Sequence, residues 1–482
     1  MLPPTKLLIG GQWTDSASGK TFDTTNPATE EVTAKIAEAG PEDVEKAVAA
    51  ARKAFDEGPW PRMAASERGK VLRRIADGIR KNLQVFADLE TADTGKTLFD
   101  SGKVEVPLSA DIFDYYGGWA DKFYGETIPV RGNALAFTLR EPVGVVGMIT
   151  PWNFPLLLET WKVAPALAMG NTCILKPAML TPLTALKLGE IALEAGLPEG
   201  VLNVIPGPGG KVGDALVRHA GVDKIAFTGS TEVGKGVLRA CADTIKRVTV
   251  ELGGKSPNII FADADAESAI RGALTGIFYN KGEVCAAGSR IFVEKAIYDQ
   301  VSDGIAKKAA KMTVGDPRDK GTRMGPVISK AQMDSVLGYI EAGKKEGAKV
   351  LAGGAKVDGA NGKGFFVQPT VFGDATNAMR IAREEIFGPV ATIIPFENFE
   401  DVVKQANDSF YGLAAGIWTK DVKKAIRAAK AVKAGTVWVN TYNLYDPGLP
   451  FGGFKQSGFG RELGVHALES YTETKSVWMD LS

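Results

Sequence analysis

Between Val143 and Glu251, short apolar runs alternate with helical patterns, and few folds accommodate that order. The strand-like runs are Val143–Thr150, Thr172–Leu175, Val201–Ile205, Lys224–Thr228 and Arg247–Glu251. Helical patterns lie between them, near Leu156–Ala168, Pro182–Glu194, Lys211–Arg218 and Glu232–Ala242. Strands separated by helices pair in parallel, with helices on both faces of the sheet. Such sheets bind ligands at the carboxyl ends of their strands. A second alternating region runs from about 258 to 440. Its helical runs are near Ala266–Tyr279, Ile297–Lys311, Ala331–Glu346, Glu400–Ser409 and Val422–Val432, and its strand-like runs include Ser289–Val293, Ala391–Pro395, Ala414–Thr419 and Thr436–Asn440. The expected fold class is therefore α/β, with two doubly wound domains.

The 482 residues exceed one ordinary core, which agrees with more than one domain. Ahead of the first alternating region lie short strand-like runs within 7–26, then helical patterns at Pro41–Phe55, Ala65–Lys81, Gln84–Thr94 and Val104–Phe123, which read as scaffold. Residues 124–141 switch to strand period around Gly132-Asn133 and read as a hairpin. A lone hairpin is marginal in water, so this one needs a further strand or another subunit. Gly353–Gly364 reads as a surface loop. Lys+Arg and Asp+Glu balance at 57 each, giving no reason to expect nucleic acid or an anionic membrane as partner. The apolar region Pro142–Leu158 is broken by glycine and proline, unlike a membrane span. Met-Leu-Pro-Pro-Thr-Lys at the start lacks a signal-peptide core, and three cysteines without evident pairing fit a reducing, cytoplasmic compartment. With two histidines and no clustering of Cys and His, neither a Cys-His pair nor a metal site is expected.

Of the three cysteines, Cys173 and Cys241 read as small buried hydrophobes. Cys285 follows a Lys-Gly turn and is flanked by small residues, which lets a ligand approach its sulfur. Three other motifs each have a chemical reading and a bland alternative. Phe227-Thr-Gly-Ser-Thr-Glu-Val-Gly234 lies between a strand and a helix, where a dinucleotide phosphate would sit, yet any βα turn can look the same. Glu251, at the carboxyl end of its strand, is a general base or a turn acid. Asn153, between Pro151 and Pro155, is an oxyanion donor or an ordinary Asn turn.

Taken in order, Pro151–Pro155, Leu175-Lys-Pro177, Phe227–Gly234, Glu251–Pro257, Cys285, Glu384–Val390 and Pro450–Gly458 resemble the NAD(P)-dependent aldehyde dehydrogenase superfamily over nearly the whole chain, closest to its hydrolytic, broad-substrate branch. The resemblance implies a Rossmann-like cofactor domain (1–123 and 142–253), a catalytic domain (254–470) and a small β oligomerisation arm (124–141 and 471–482), in a homo-oligomer that is a dimer or tetramer. It implies Cys285 as nucleophile, Glu251 as base for thioester hydrolysis, Asn153 as oxyanion donor and Glu462 as a proton relay. Cofactor contacts, to NAD or NADP, would come from Thr150, Trp152, Lys176, Met179, Gly209, Phe227, Gly229, Ser230, Val233, Leu252, Glu385 and Phe387. The aldehyde would lie among Phe154, Leu158, Trp161, Val284, Tyr445 and Phe451.

This lining favours an uncharged aliphatic or aromatic aldehyde, and Glu159 near the mouth would repel a carboxylate. Two positions depart from the family pattern. Glu283 stands where Gln is usual, with little expected effect. Met179 stands where NAD-preferring members carry Glu, which opens the site to NADP. The alternatives are transfer of the thioester to coenzyme A, disfavoured because Glu251 is retained, and a protein that keeps the fold without turnover.

Overall fold

A computed structural model describes residues 2–359 and 362–482. The first sheet is ordered, strand by strand, 12–14, 7–9, 202–204, 172–176, 145–149, 224–228, 247–251 and 458–459. The five strands from Leu202–Val204 across to Arg247–Glu251 are all parallel. Starting from Val145–Ile149, the chain adds the next two strands on one side, then crosses to place Lys224–Thr228 and Arg247–Glu251 on the other. That reversal leaves a crevice between the ends of Val145–Ile149 and Lys224–Thr228, where open α/β sheets take ligands.

The second sheet is ordered 349–352, 370–373, 390–396, 290–294, 257–260, 414–418 and 436–439, parallel except for its first strand. The expected α/β class with two doubly wound sheets is thus observed. Three strands were not anticipated: Pro257–Ile260, Lys349–Ala352 and Thr370–Gly373. Pro257 opens its strand, a position where a missing N–H is tolerated. Within the expected loop Gly353–Gly364, Lys356–Val357 pairs with Phe366–Val367, while 360–361 lie outside the described residues.

The chain does not stay in the second unit after Val439. Gly458–Phe459 pairs antiparallel with Val250 and Glu251, so part of the expected 254–470 unit joins the first sheet instead. Residues 127–128, 134–142 and 472–480 form a separate three-stranded sheet, with the C-terminal strand in register along the whole of Ala134–Pro142. Asn171 ties this sheet to the first: its side chain accepts from Gly144 N–H at 2.9 Å and donates to Tyr471 O at 2.9 Å.

One helix decides where the site can lie. Pro155–Ala168 starts on a proline, which suits the first helical position. It is apolar nearly all round and buried at every residue, the pattern of a central helix and not a surface one. Glu159 and Lys162 are its only charges. No helix among the described residues is long and apolar enough to cross a membrane.

Candidate active site

The carboxyl ends of the first sheet's strands face the loop that carries Cys285, and a cleft of about 240 Å³ lies between them. Trp152, Asn153, Leu158, Gly229, Ser230, Leu252, Cys285, Glu385 and Phe387 all line it, joined by Pro151, Thr228 and Gly253. The sequence motifs are thus brought together from both sheets. Trp152 and Phe387 meet edge to face at 5.2 Å. Phe387 has φ 56°, an unusual backbone for an aromatic residue, and the Gln332 amide holds it by donating to the Phe387 carbonyl at 2.7 Å.

Cys285 is partly accessible, whereas Cys173 and Cys241 are buried in the cores of the first unit. Burial, with the Glu385 and Glu251 charges nearby, pushes the Cys285 thiol well above its ordinary range. Asn153 is buried beside it. Its Nδ2 donates to Glu283 O at 3.0 Å, and its backbone oxygen accepts from Asn280 Nδ2 at 2.9 Å and Lys96 Nζ at 3.0 Å. Lys96 is held in turn by Glu90 and Glu105.

Glu251 does not line the cleft itself. Its carboxyl is buried against Gly452, where a Cβ would lie 2.8 Å from Oε1, and neither oxygen has a hydrogen-bond partner. Burial raises its pKa well above the ordinary carboxylate value, and neighbouring Glu462 raises it further. Glu462 bonds through one oxygen to Lys162, and Lys162 Nζ also donates to Thr228 Oγ1 at 2.7 Å. The backbone of Glu462 is locked to Phe451 by two hydrogen bonds of 2.7 and 2.8 Å. Lys162 went unrecognised in the sequence, although a lysine inside an apolar, buried helix signals a partner that neutralises it.

At the far end of the crevice, Lys176 Nζ donates to Pro177 O at 2.8 Å and Gly207 O at 2.9 Å, which leaves one N–H free. Burial brings its pKa down to about 8. Gly213, closing the turn Gly209–Gly213, lies against the Lys176 stem, and a Cβ at Gly209 or Gly210 would meet nothing within 4 Å. Met179 is half-buried in the loop after Lys176. Ser230 caps the helix Thr231–Ala242, accepting from Val233 N–H at 3.3 Å, so that helix's amino end opens on the cleft. Phe227 backs Gly229, where a Cβ would come within 2.6 Å of its ring, and Val233 is exposed. Thr150 is buried with its hydroxyl unpartnered.

Trp161, Tyr445 and Phe451 form a mutually packed aromatic group with centroids 5.3–5.8 Å apart. Phe154 instead stacks on Tyr279 at 6.0 Å, and Val284 is buried. Tyr279, unanticipated, bonds through its hydroxyl to Glu105 at 2.9 Å. Glu159 needs correction. It is fully buried, with both oxygens unpartnered, and faces Glu90 and Asp93 and not a tunnel mouth. Burial holds its carboxyl in the neutral form, so it exerts no repulsion on an incoming anion.

A model of the "Aldehyde dehydrogenase family" matches residues 13–477. The chain belongs to the aldehyde dehydrogenase family. It is 52% identical over 476 residues to "Putative aldehyde dehydrogenase DhaS" of Bacillus subtilis, covering 99% of this chain and 96% of that one. It is 50% identical over 474 residues to "Aldehyde dehydrogenase, mitochondrial" of Homo sapiens, covering 98% and 91%. Among solved structures, the NAD+ complex of the Bacillus cereus aldehyde dehydrogenase superposes with a TM-score of 0.97 at 50% identity, covering 99% of this chain and 97% of that one. This member of the family oxidises aldehydes to carboxylic acids with a nicotinamide cofactor.

The Glu385 carboxyl faces the cleft, accepts from Gly254 N–H at 3.0 Å, and is raised by burial to about 7. Below that pH it is protonated, and one of its oxygens becomes a donor and a weaker acceptor toward ligand hydroxyls. Affinity for NAD, titrated from about pH 6 to about pH 8, is expected to rise with pH through the Glu385 ionisation. In Glu385→Gln the affinity should be lower and should lose this rise with pH; a wild type with no such rise would show that the Glu385 ionisation does not bear on cofactor binding.

Proposed function

We propose that Cys285, its thiol proton released to solvent, attacks the aldehyde carbon while the Asn153 amide and the Cys285 backbone N–H receive the developing oxyanion. The observation that carries this reading is the convergence of Cys285 and Asn153, from opposite sheets, on one cleft shared with Glu385 and Phe387. Residues fit a dinucleotide at that cleft. Gly229 and Gly253 leave backbone bare, Ser230 opens a helix amino end, and Glu385 offers ribose a carboxylate. A Cβ at Gly253 would lie 2.0 Å from Glu385 Oε2, so that carboxylate is available only against a glycine. When bound, the cofactor would supply a hydride acceptor for the former aldehyde carbon. Cys285 is then left as a thioester.

Glu251 takes the proton of the water that cleaves this thioester. Its two unpartnered oxygens supply the acceptor, and its raised pKa makes it a stronger base than a surface carboxylate. No hydrogen bond holds its carboxyl against Gly452, so the side chain is free to rotate toward Cys285. Glu462, Lys162 and Thr228 give the proton an onward route. Retention of Glu251 favours water over coenzyme A as the acyl acceptor.

The aromatic group of Trp161, Tyr445 and Phe451 supports an uncharged aliphatic or aromatic substrate. No Lys or Arg belongs to that group, and buried Lys96, 4.6 Å over the Phe154 ring, is already paired with two glutamates. At the cofactor's adenosine end, Met179 neither bonds ribose hydroxyls nor repels a 2′-phosphate, and the free N–H of Lys176 suits either group. Exposed Lys211 adds positive charge on the neighbouring turn. This supports use of both NAD and NADP. For assembly, Leu135, Leu139 and Met479 are exposed on one face of the three-stranded sheet. Such a face supports docking of a second copy, in a dimer or tetramer. Three unpaired cysteines suit the cytoplasm.

Three outcomes follow from this reading. Cys285→Ala should abolish aldehyde oxidation and retain NAD binding, and Glu251→Gln should slow hydrolysis more than hydride transfer, leaving a burst of reduced cofactor. Wild-type turnover in either variant contradicts the assignment. In substrate comparisons, hexanal and phenylacetaldehyde should exceed succinic semialdehyde in kcat/KM; the reverse order refutes the apolar reading. Finally, Met179→Glu should weaken NADP by ~1 kcal/mol or more while sparing NAD. Equal NADP affinity in variant and wild type, by titration, removes position 179 from cofactor choice.

A further inference from the structure

The turn Tyr279–Gly282, which leads into Cys285, has a backbone that residues with side chains adopt reluctantly. Asn280 has φ 45° and ψ 40°, Lys281 φ 58° and ψ 22°, and Gly282 φ 74°. Asparagine tolerates this region through its short polar side chain and glycine through lacking one; lysine has neither advantage. The turn is also closely packed at Gly282, where a Cβ would lie 2.1 Å from the Gly388 carbonyl oxygen. Contacts outside the backbone must hold Lys281 in place.

Its own side chain makes them. Lys281 is buried, and Nζ donates to Asn280 Oδ1 at 2.7 Å and Thr94 O at 3.1 Å. It also lies 3.1 Å from Glu283 Oε2, an ion-pair contact outside hydrogen-bonding geometry. Glu283 is fully buried, and its Oε1 accepts from Ile328 N–H at 2.9 Å. The pair therefore spans the turn and fastens it to two other segments. Either charge alone would be stranded in the interior.

What this pair fixes is the Glu283 carbonyl. That oxygen accepts from Asn153 Nδ2 at 3.0 Å and Asn280 Nδ2 at 3.2 Å. An amide nitrogen has two N–H bonds. With one committed to Glu283, the plane of the Asn153 amide is set and so is the direction of the second. Cys285 follows two residues later on the same backbone. A shift of the carbonyl would displace donor and nucleophile relative to each other.

We propose that Lys281 and Glu283 are positioning residues for the reaction: their buried pair holds the turn that aims the Asn153 amide at the Cys285 site. Neither side chain lines the cleft, so both act through Asn153 and the backbone. The proposal rests on the roles assigned above to Asn153 and Cys285. It also changes the expectation for Glu283, whose exchange for Gln would leave Lys281 buried without its counter-charge.

The test variant is Lys281→Met/Glu283→Gln, which strands no charge. Single-turnover formation of reduced cofactor is expected to slow about tenfold or more, with NAD affinity unchanged within about twofold. Placed on Asn153→Ala, the same pair of substitutions should add little, because its effect passes through that amide. A wild-type rate in the double variant, full additivity with Asn153→Ala, or a parallel loss of NAD affinity overturns the proposal. If Asn153→Ala itself reacts at the wild-type rate, the oxyanion assignment fails and this proposal with it. A slow Asn153→Ala beside a fast double variant removes the positioning role alone. Should the double variant not fold, Lys281→Arg replaces it. That side chain keeps the charge but cannot set one nitrogen among Thr94, Asn280 and Glu283, and the same outcomes apply.

Discussion

One hydrogen bond, from Asn153 Nδ2 to the Glu283 carbonyl, joins the loop of the first sheet to the loop that carries Cys285. Both ends are over-determined. Asn153 is pinned through its backbone oxygen by Asn280 and Lys96, and Glu283 is pinned through its side chain by Ile328 and Lys281. Acyl chemistry needs its donor and nucleophile fixed relative to each other before the substrate arrives. In the proposed mechanism the two are Asn153 and Cys285, from different sheets, and buried polar contacts supply the connection that neither sheet provides by itself. Such contacts are strong only when fully satisfied, because the low-dielectric interior penalises any group left unpaired.

The same interior sorts the acids by role. Glu90 and Glu105 share Lys96, and Glu462 has Lys162. Glu159 and Glu251 have no cation of their own and are driven toward the neutral form. For Glu159, sealed within the central helix, that is a structural outcome with no reacting group in reach. In the proposed mechanism Glu251, at the carboxyl end of a strand beside the cleft, serves as base in its ionised form, which the raised pKa makes the stronger proton acceptor. Equal chemistry in the two side chains thus leads to different uses through position alone.

Much of this was readable from the chain. Apolar runs bounded by turns located the parallel strands of the first sheet, since buried strands announce themselves by continuous apolar sequence. The strands missed in the second unit were those whose pattern misled: Pro257–Ile260 begins on proline, and Lys349–Ala352 is an antiparallel edge. Gly458–Phe459 is too short to signal its return to the first sheet. At the site, motif residues such as Cys285, Asn153, Glu385 and Phe387 meet in one cleft. Lys162 and the Lys281–Glu283 pair were not anticipated as partners, because a buried ion pair is defined by distance in space and only weakly by sequence. Glu159 was misplaced for a related reason. A lone acid looks exposed until its helix is found to be buried on every side.

The most direct test of the account is to find the acyl group. Glu251→Gln mixed with NAD and hexanal, quenched in acid within one turnover and digested, can be examined by mass spectrometry for modified cysteine peptides. The account predicts a hexanoyl adduct on the Cys285 peptide that requires both NAD and aldehyde and that decays quickly in the wild type. An adduct on Cys173 or Cys241, or none on any cysteine while reduced cofactor still forms, would contradict it.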